Sequence, residues 1–118
     1  MDDVMIHRLD VLLKNINQII SDTQGKTLEE FASSDLLVRA TCFSFEQIGE
    51  QMRILEKKFS REYPEIPWDK AIGLRVKIAH VYHKIEAEAV YLTAINDIPV
   101  LKEQILNLKS DLITKDNN

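Results

Sequence analysis

The sequence has little cysteine, proline or glycine. Cys42 is its single cysteine, so no disulfide can form within the chain, and no neighbouring Cys or His pair suggests a structural zinc site. Only 3 glycines and 3 prolines occur in 118 residues, and β-branched residues do not cluster in alternating runs. The composition therefore predicts an all-α domain, in which Cys42 is buried as a small hydrophobic side chain.

The chain also lacks an excess of positive charge and a long apolar run. It carries 15 basic and 19 acidic side chains, for a net charge of -4. A broad nucleic-acid surface is therefore not expected, and RNA binding would need a local basic focus. No apolar stretch approaches the roughly 18 residues of a membrane span, and the first residues do not resemble a signal peptide. We expect a cytoplasmic protein with no membrane contact, in which residues 1–118 form one domain.

Apolar residues recur at helical spacing in the first half of the chain. They predict a helix over about residues 3–22, and Thr27 with Glu30 predicts the capping box of a short helix. A second long helix starts near Ser34 and ends before Pro64. Its apolar band is wider than one stripe, which indicates either contact with several helices or a face that also meets another subunit. The band comprises Leu37, Val38, Cys42, Phe43, Phe45, Ile48, Met52, Leu55 and Phe59.

The second half of the chain predicts two or three further helices. Two prolines in residues 63–67 separate the second helix from a third, and Trp68 is expected to be a packing anchor. We predict a break around residues 83–85, a fourth helix over about 86–95 and a last helix from Ile98 or the next residue. The last helix carries a narrow apolar seam of Ile98, Leu101, Ile105, Leu108 and Leu112. The result is an antiparallel bundle of four to five helices.

The third helix contains residues suited to phosphodiester chemistry. Four residues separate Arg75 from His80, and Tyr82 follows two positions later. Arginine binds phosphate with a forked geometry, histidine transfers protons near neutral pH, and tyrosine offers a hydroxyl. On an ideal helix Tyr82 shares the face of Arg75, whereas His80 lies about 140° away. Either the helix unwinds before His80, or two copies of the motif meet across a twofold dimer.

Each of these residues also has a purely structural interpretation. Arg75 is equally explained by an ion pair with a carboxylate such as Asp69. His80 alone reads as a core histidine with its hydrogen bonds satisfied, and Tyr82 as a core aromatic with its hydroxyl at the surface. His83 reads as a solvent-facing neighbour, although it could assist at the same cleft. The local pattern leaves both interpretations open.

Glu46 and Glu50 lie four residues apart on the second long helix and could both face the third. Paired carboxylates can bind a metal or share a proton, but no third ligand is evident, so we predict no metal site and no cofactor. Gly49 permits the close approach of a neighbouring helix. A buried Glu50 would then be the simplest ion-pair partner of Arg75.

Taken together, the motifs make the chain resemble the HepT family of HEPN-domain proteins over nearly its whole length. The residues that carry this resemblance are Ile48-Gly49-Glu50, Tyr63-Pro64-Glu65-Ile66-Pro67-Trp68, Gly73-Leu74-Arg75, Ala79-His80-Val81-Tyr82, Ile98-Pro99 and Leu101. The resemblance implies a HEPN-like helical bundle that forms a homodimer with the motif in a cleft between subunits. It also implies a ribonuclease toxin whose partner is a nucleotidyltransferase antitoxin. Alternatively, such a protein is a non-catalytic substrate-binding subunit of that nucleotidyltransferase.

The resemblance assigns roles to the motif residues. Arg75 would bind the scissile phosphate and His80 would act as general acid or base in a metal-independent endoribonuclease that uses the RNA 2′-hydroxyl. Tyr82 would position RNA and accept AMP from the antitoxin, while Glu50 and His83 could support the site. The family usually has a polar residue, often asparagine, directly after the arginine. Val76 stands there instead, and its side chain cannot bind phosphate or orient His80.

Overall fold

The computed structural model describes residues 3–74 and 84–116. Over these ranges the chain forms helices and no strand, which confirms the all-α prediction. The helices are α1 Asp3–Thr23, α2 Leu28–Ala32, α3 Asp35–Phe59, α4 Trp68–Ile72, α5 Lys84–Asn96 and α6 Ile98–Asp116. Two of the six, α2 and α4, are five residues long. None of the described helices is both long and apolar enough to cross a membrane.

Local sequence signals account for the starts of α2 and α3. The Thr27 hydroxyl accepts a hydrogen bond from the Glu30 backbone N–H at 3.1 Å, and the Thr27 N–H donates to Glu30 Oε1 at 2.9 Å. This is the predicted capping box. The backbone hydrogen bond from Thr27 also lowers the pKa of the Glu30 carboxyl. At α3, the Ser34 hydroxyl accepts from the Leu37 N–H at 3.2 Å and caps the helix.

The long helices form an antiparallel bundle around one core. Helix α1 packs against α3 and α6, and α5 packs against α1, α2, α3 and α6. Arg8, near the start of α1, donates to Gln51 in the second half of α3, as expected for antiparallel neighbours. The predicted stripe of α1 and the seam of α6 both face this core. Cys42 is buried there, and burial raises the pKa of its thiol, so it serves as a small hydrophobic side chain.

The segment between α3 and α4 is fastened to the core and to α6. The Trp68 indole N–H donates to the Tyr63 carbonyl oxygen at 2.9 Å, and Trp68 is buried, which confirms it as a packing anchor. The Tyr63 hydroxyl donates to Asp111 Oδ2 on α6 at 2.8 Å. Glu62 also pairs with Lys115. These contacts hold the segment that precedes α4 against α6 and the core.

The predicted fourth helix over about residues 86–95 corresponds to α5, while the predicted break around residues 83–85 falls at the edge of the described residues and stays a prediction. Helix α5 starts at Lys84 and therefore includes Ile85, while His83 lies outside the described residues. Lysine, glutamate and alanine at the start of α5 are good helix formers, and neither glycine nor proline interrupts them. The junction of α5 and α6 is also tighter than expected. The Asp97 N–H donates to Thr93 O at 2.9 Å and the Leu101 N–H donates to Asp97 O at 3.0 Å.

The hydrogen bond between Tyr63 and Asp111 gives a stability prediction. Burial, and then the nearby Asp111, raise the pKa of Tyr63 to about 12. The folded state therefore favours the neutral phenol. The neutral phenol contributes its full stabilisation below pH about 10, the pKa of an unfolded tyrosine. This stabilisation is lost as the pH rises from about 10 towards the pKa of Tyr63 in the folded state. We expect Tyr63→Phe to lower the free energy of unfolding by about 1 kcal/mol at pH 7. This deficit should shrink at alkaline pH, as urea titrations can measure.

The matched control is Asp111→Ala, alone and combined with Tyr63→Phe. If the hydrogen bond is the cause, the two single losses will not add in the double variant. Fully additive losses, or a Tyr63→Phe deficit that grows above pH about 10, would contradict the assignment.

Candidate functional site

The motif residues lie outside the described part of the chain. Arg75, Val76, His80, Tyr82 and His83 all fall within residues 75–83, between the two described ranges. The predicted cleft geometry therefore stays a prediction, as do the roles of these residues. What the structure does show is how both flanks of the motif are held.

Both flanks of the motif are anchored in the bundle. Leu74, directly before Arg75, is buried, and so is Ala71 one turn earlier. After the motif, α5 buries Ala87 and Val90. Helix α4 and helix α5 both pack on α3. The described helices on the two sides of residues 75–83 thus pack on the same helix.

Glu50 is the one predicted site residue that the structure describes. It lies on α3, and its side chain is 41% exposed, so the buried Glu50 considered from the sequence is not found. The Arg53 guanidinium donates to Glu50 Oε1 at 2.5 Å, and this hydrogen bond and the carboxylate charge raise the pKa of Arg53. The structure therefore shows Glu50 in an ion pair within its own helix. A pair with Arg75 lies outside the described residues.

The other sequence candidates on α3 are placed as follows. Glu46 is exposed and Gly49 is buried. Within residues 3–74 and 84–116, no group of three or more His, Cys, Asp or Glu side chains could hold a metal ion.

Helix α3 exposes large apolar side chains and buries small polar ones. Leu36 is 75% exposed and Phe43 is 62% exposed, whereas Thr41 and Ser44 are buried. The Thr41 hydroxyl has no hydrogen-bond partner within the described residues. The sequence places Phe43 in the wide apolar band, which it predicts either to contact several helices or to have a face that meets another subunit. The structure turns it away from the core, because the neighbouring Phe45 occupies the buried side.

The two strongly exposed apolar residues of α3, Leu36 and Phe43, lie on one stripe whose other members are partly exposed. Leu36, Ala40, Phe43, Gln47 and Glu50 follow each other at spacings of four, three, four and three. These positions share one side of a helix. We call this stripe the α3 outer face. Arg39 pairs with Asp35 at 3.2 Å beside it, and both side chains are strongly exposed.

The stripe could have been recognised in the sequence from its four–three spacing. The predicted apolar band omits Leu36, because periodicity alone does not separate the outer face from the core face. Glu50 is the last residue of the stripe. The outer face therefore includes a residue that the sequence predicts to support the motif.

Comparison with known proteins shows which family the chain belongs to. The family described as Ribonuclease HepT-like matches residues 12–108, which include both anchored flanks and the whole motif. The chain belongs to the HepT-like family. This confirms the resemblance found in the sequence, and the all-α bundle is the HEPN-like fold expected of a HepT-like chain. No solved structure matches the chain.

Similar proteins occur in archaea and bacteria. "Putative RNase MJ0127" of Methanocaldococcus jannaschii is 32% identical over 107 residues, covering 91% of this HepT-like chain and 88% of the relative. "Putative RNase TTE0752" of Caldanaerobacter subterraneus is 30% identical and covers 82% of this chain and 87% of its own length. "Probable ribonuclease HepT" of Thermococcus cleftensis is 29% identical, with 86% and 92% covered. The similarity thus extends over most of each protein.

Proposed function

We propose that this chain is a metal-independent endoribonuclease and the toxin of a toxin–antitoxin pair. The observation that carries the proposal is the family match over residues 12–108, with Arg75, His80 and Tyr82 at the expected spacing inside it. The chain would act as a single domain in the cytoplasm, where its RNA substrate is found. The names of the relatives, which describe them as ribonucleases, support the same assignment.

The proposed reaction uses the 2′-hydroxyl of the RNA itself. The 2′-oxygen forms a bond to phosphorus while the bond from phosphorus to the 5′-oxygen breaks. The 2′-hydroxyl proton passes to a base, and an acid protonates the leaving 5′-oxygen, so the products carry a 2′,3′-cyclic phosphate and a 5′-hydroxyl. His80 supplies acid–base catalysis and Arg75 stabilises the charge that builds on the phosphate oxygens.

The proposed control is AMP transfer to Tyr82 by a nucleotidyltransferase antitoxin. On a helix Tyr82 would share the face of Arg75, so an attached AMP would bring negative charge and bulk to the phosphate site. Arg75 would then bind the modification instead of RNA. Glu50 and His83 are proposed to support the site.

A second candidate function has one specific observation in its favour. Val76 stands where the family usually has a polar residue, and its side chain can neither hold phosphate nor orient His80. That substitution favours a non-catalytic binding subunit of the nucleotidyltransferase. In this alternative the fold and the partner are the same, but RNA is not cleaved.

Expression in a bacterial host separates the two functions. A toxin should arrest growth and fragment RNA when expressed alone, and co-expression of the cognate nucleotidyltransferase should restore growth. A binding subunit should leave growth and RNA unchanged in both cases. Val76→Asn is an informative companion, because increased RNA cleavage in this variant would identify Val76 as the limit on activity.

We also propose a twofold homodimer built on the α3 outer face. Its apolar part consists of Leu36 and Phe43. These large side chains are strongly exposed, and neighbouring exposed apolar side chains are typical of a surface that binds another protein. Its flanking charges, Asp35 and Arg39, have opposite signs, so two copies can place each next to its opposite. The stripe ends at Glu50. A dimer built on this stripe would bring together the side of each subunit that carries the residues flanking the motif.

Phe43→Glu tests this dimer. A charged side chain in place of a central aromatic should weaken association by about 30-fold or more, the scale of an interface hot spot. Sedimentation velocity over a micromolar concentration range should show monomers for this variant and dimers for the wild type. Leu106→Glu, an exposed leucine on α6, is the matched control and should remain dimeric. A wild-type monomer, or a dimer that survives Phe43→Glu, would rule out the proposed interface.

A further inference from the structure

Positive charge is concentrated in one stretch of the chain. Residues 53–84 carry 8 basic and 4 acidic side chains, whereas the rest of the chain carries 7 basic and 15 acidic side chains. This stretch starts in the second half of α3 and includes the whole motif. A polyanion is therefore attracted to this stretch and repelled by the remainder of the chain.

Part of the positive charge lies in a row along the end of α3. Arg53, Lys57 and Arg61 follow each other at spacings of four residues, so they share one side of a helix, about 6 Å apart along its axis. Helix α3 ends at Phe59, but the Tyr63 N–H still donates to the Phe59 carbonyl oxygen at 2.9 Å. The helical course thus continues past Arg61. We call Arg53, Lys57 and Arg61 the basic row.

The side chains of the basic row are accessible to a ligand. Lys57 and Arg61 are exposed, and neither makes a hydrogen bond or an ion pair within the described residues. Arg53 is partly exposed, and its pair with Glu50 engages one guanidinium nitrogen, which leaves further donors. Lys57 and Arg61 can therefore bind an anion without breaking an ion pair in the described structure.

The helix dipole explains only one member of the row. Lys57 lies in the last turn of α3, where the partial negative charge of the helix C-terminus favours a cation. Arg53 precedes that turn, and Arg61 follows the end of the helix. Nearby acids do not neutralise the row either. Glu56 lies on a different side of the helix from Lys57 and Arg61, and Glu62 is already in an ion pair.

The basic row ends close to one flank of the motif. Tyr63 follows Arg61 by two residues, and its carbonyl oxygen accepts the hydrogen bond from the Trp68 indole at 2.9 Å. Trp68 begins α4, and Leu74 lies six residues later, about 10 Å away at the rise of a helix. Leu74 directly precedes Arg75. A few nucleotides of RNA can therefore span the distance from the row to the first residue of the motif.

We propose that the basic row binds the sugar–phosphate backbone of single-stranded RNA beside the cleavage site. This proposal rests on the proposed function, because it takes the RNA substrate as the ligand, and it adds residues that hold the strand outside the motif. Arg53 follows Glu50 by three residues, so the row continues from the end of the α3 outer face. Phosphate contacts position a strand without reading its bases, so the row strengthens binding of any RNA long enough to reach it.

The first test measures RNA binding in the absence of cleavage. The ligand is a fluorescent single-stranded RNA of about ten nucleotides with a 2′-O-methyl group on every sugar. Lys57→Gln/Arg61→Gln, the row variant, should bind it about tenfold more weakly at low salt, the scale of two exposed ion pairs. The slope of log affinity against log salt should become shallower by about 1.4, since each phosphate contact on a single strand contributes about 0.7.

Two control variants separate the row from net charge. Lys14→Gln/Lys26→Gln removes the same charge from exposed positions on α1 and the loop after it, and should keep the wild-type affinity and salt slope. Lys57→Arg/Arg61→Lys keeps both charges in the row and should also bind like the wild type. Thermal melting of each variant should show that the bundle still folds.

The second test measures cleavage of RNA substrates of two lengths. On a long RNA, the row variant should raise KM about tenfold and leave kcat unchanged, because contacts outside the reacting bonds act equally before and in the transition state. On a dinucleotide, which is too short to reach the row, both constants should match the wild type.

Each outcome supports or overturns the proposal. Unchanged RNA affinity, salt slope and KM in the row variant overturn it, and are expected if the row instead binds an acidic protein. RNA cleavage by the wild type would then still support the proposed function. An equal loss in Lys14→Gln/Lys26→Gln also overturns it, because net charge would be the cause. Weaker RNA binding by the row variant, without cleavage by the wild type, supports the row and contradicts the ribonuclease. A wild type that neither binds nor cleaves RNA contradicts both.

Discussion

His80→Ala is expected to abolish most RNA cleavage. Removing a general acid or base typically lowers a rate by about 10²–10⁴-fold, because the proton must then move without a positioned carrier. The measurement is the initial rate of cleavage of a labelled RNA by purified wild type and variant. Thermal melting of both proteins should show that the bundle still folds.

A matched histidine variant controls for nonspecific effects in this experiment. His7 is exposed on α1, and His7→Ala should cleave at the wild-type rate. Arg75→Ala should also lose activity severely, since the charge on the phosphate would no longer be stabilised. Cleavage that persists in both His80→Ala and Arg75→Ala would trace the activity to a contaminant or to another site.

AMP transfer to Tyr82 is expected to inactivate the protein. After incubation with the cognate nucleotidyltransferase and ATP, intact-protein mass spectrometry should show added AMP, and peptide mapping should place it on Tyr82. The modified protein should lose RNA cleavage, because the added phosphate competes for Arg75 and the nucleoside blocks access. Tyr82→Phe should remain unmodified.

The other two tyrosines provide controls. The Tyr91 hydroxyl donates to the Lys26 carbonyl oxygen at 2.6 Å, and the Tyr63 hydroxyl donates to Asp111. Both hydroxyls are engaged within the fold, so Tyr91→Phe and Tyr63→Phe should be modified like the wild type. AMP on a residue other than Tyr82, or full cleavage activity after complete modification of Tyr82, would refute this mechanism.

The parts of the fold that depend on local chemistry could be predicted from the sequence. The capping box of Thr27 and Glu30 sets the start of α2 through two hydrogen bonds between near neighbours. The stripe of α1 and the seam of α6 repeat every three or four residues, which is enough to identify their buried faces. Trp68 follows two prolines in the sequence and is predicted to be an anchor, and it is buried at the start of α4.

The parts that depend on distant contacts could not be predicted in the same way. Phe43 and Phe45 are equally apolar, and only the packing of the other helices decides that Phe45 is buried and Phe43 exposed. A pocket lined in part by Leu74 arises where α4 meets the junction of α5 and α6, about 25 residues later in the chain.

The ionic partner of Glu50 illustrates the same limit within one helix. Arg53 is three residues away, a spacing at which side chains meet on a helix, so this pair was available from the sequence. A buried Glu50 would favour Arg75 as its partner, but the Glu50 side chain is 41% exposed. Whether the Glu50 side chain is buried depends on how the whole fold packs, which the sequence of one helix does not reveal.

Cleavage of a defined RNA by the purified wild-type protein in excess chelator tests the central claim most directly. The substrate should be compared with the same RNA carrying a 2′-O-methyl group at the nucleotide before the cut. We predict fragments ending in a 2′,3′-cyclic phosphate and a 5′-hydroxyl from the unmodified RNA, and no cut at the methylated position. Intact unmodified RNA, or equal cleavage of both substrates, would contradict the proposal that this protein is a ribonuclease using the 2′-hydroxyl.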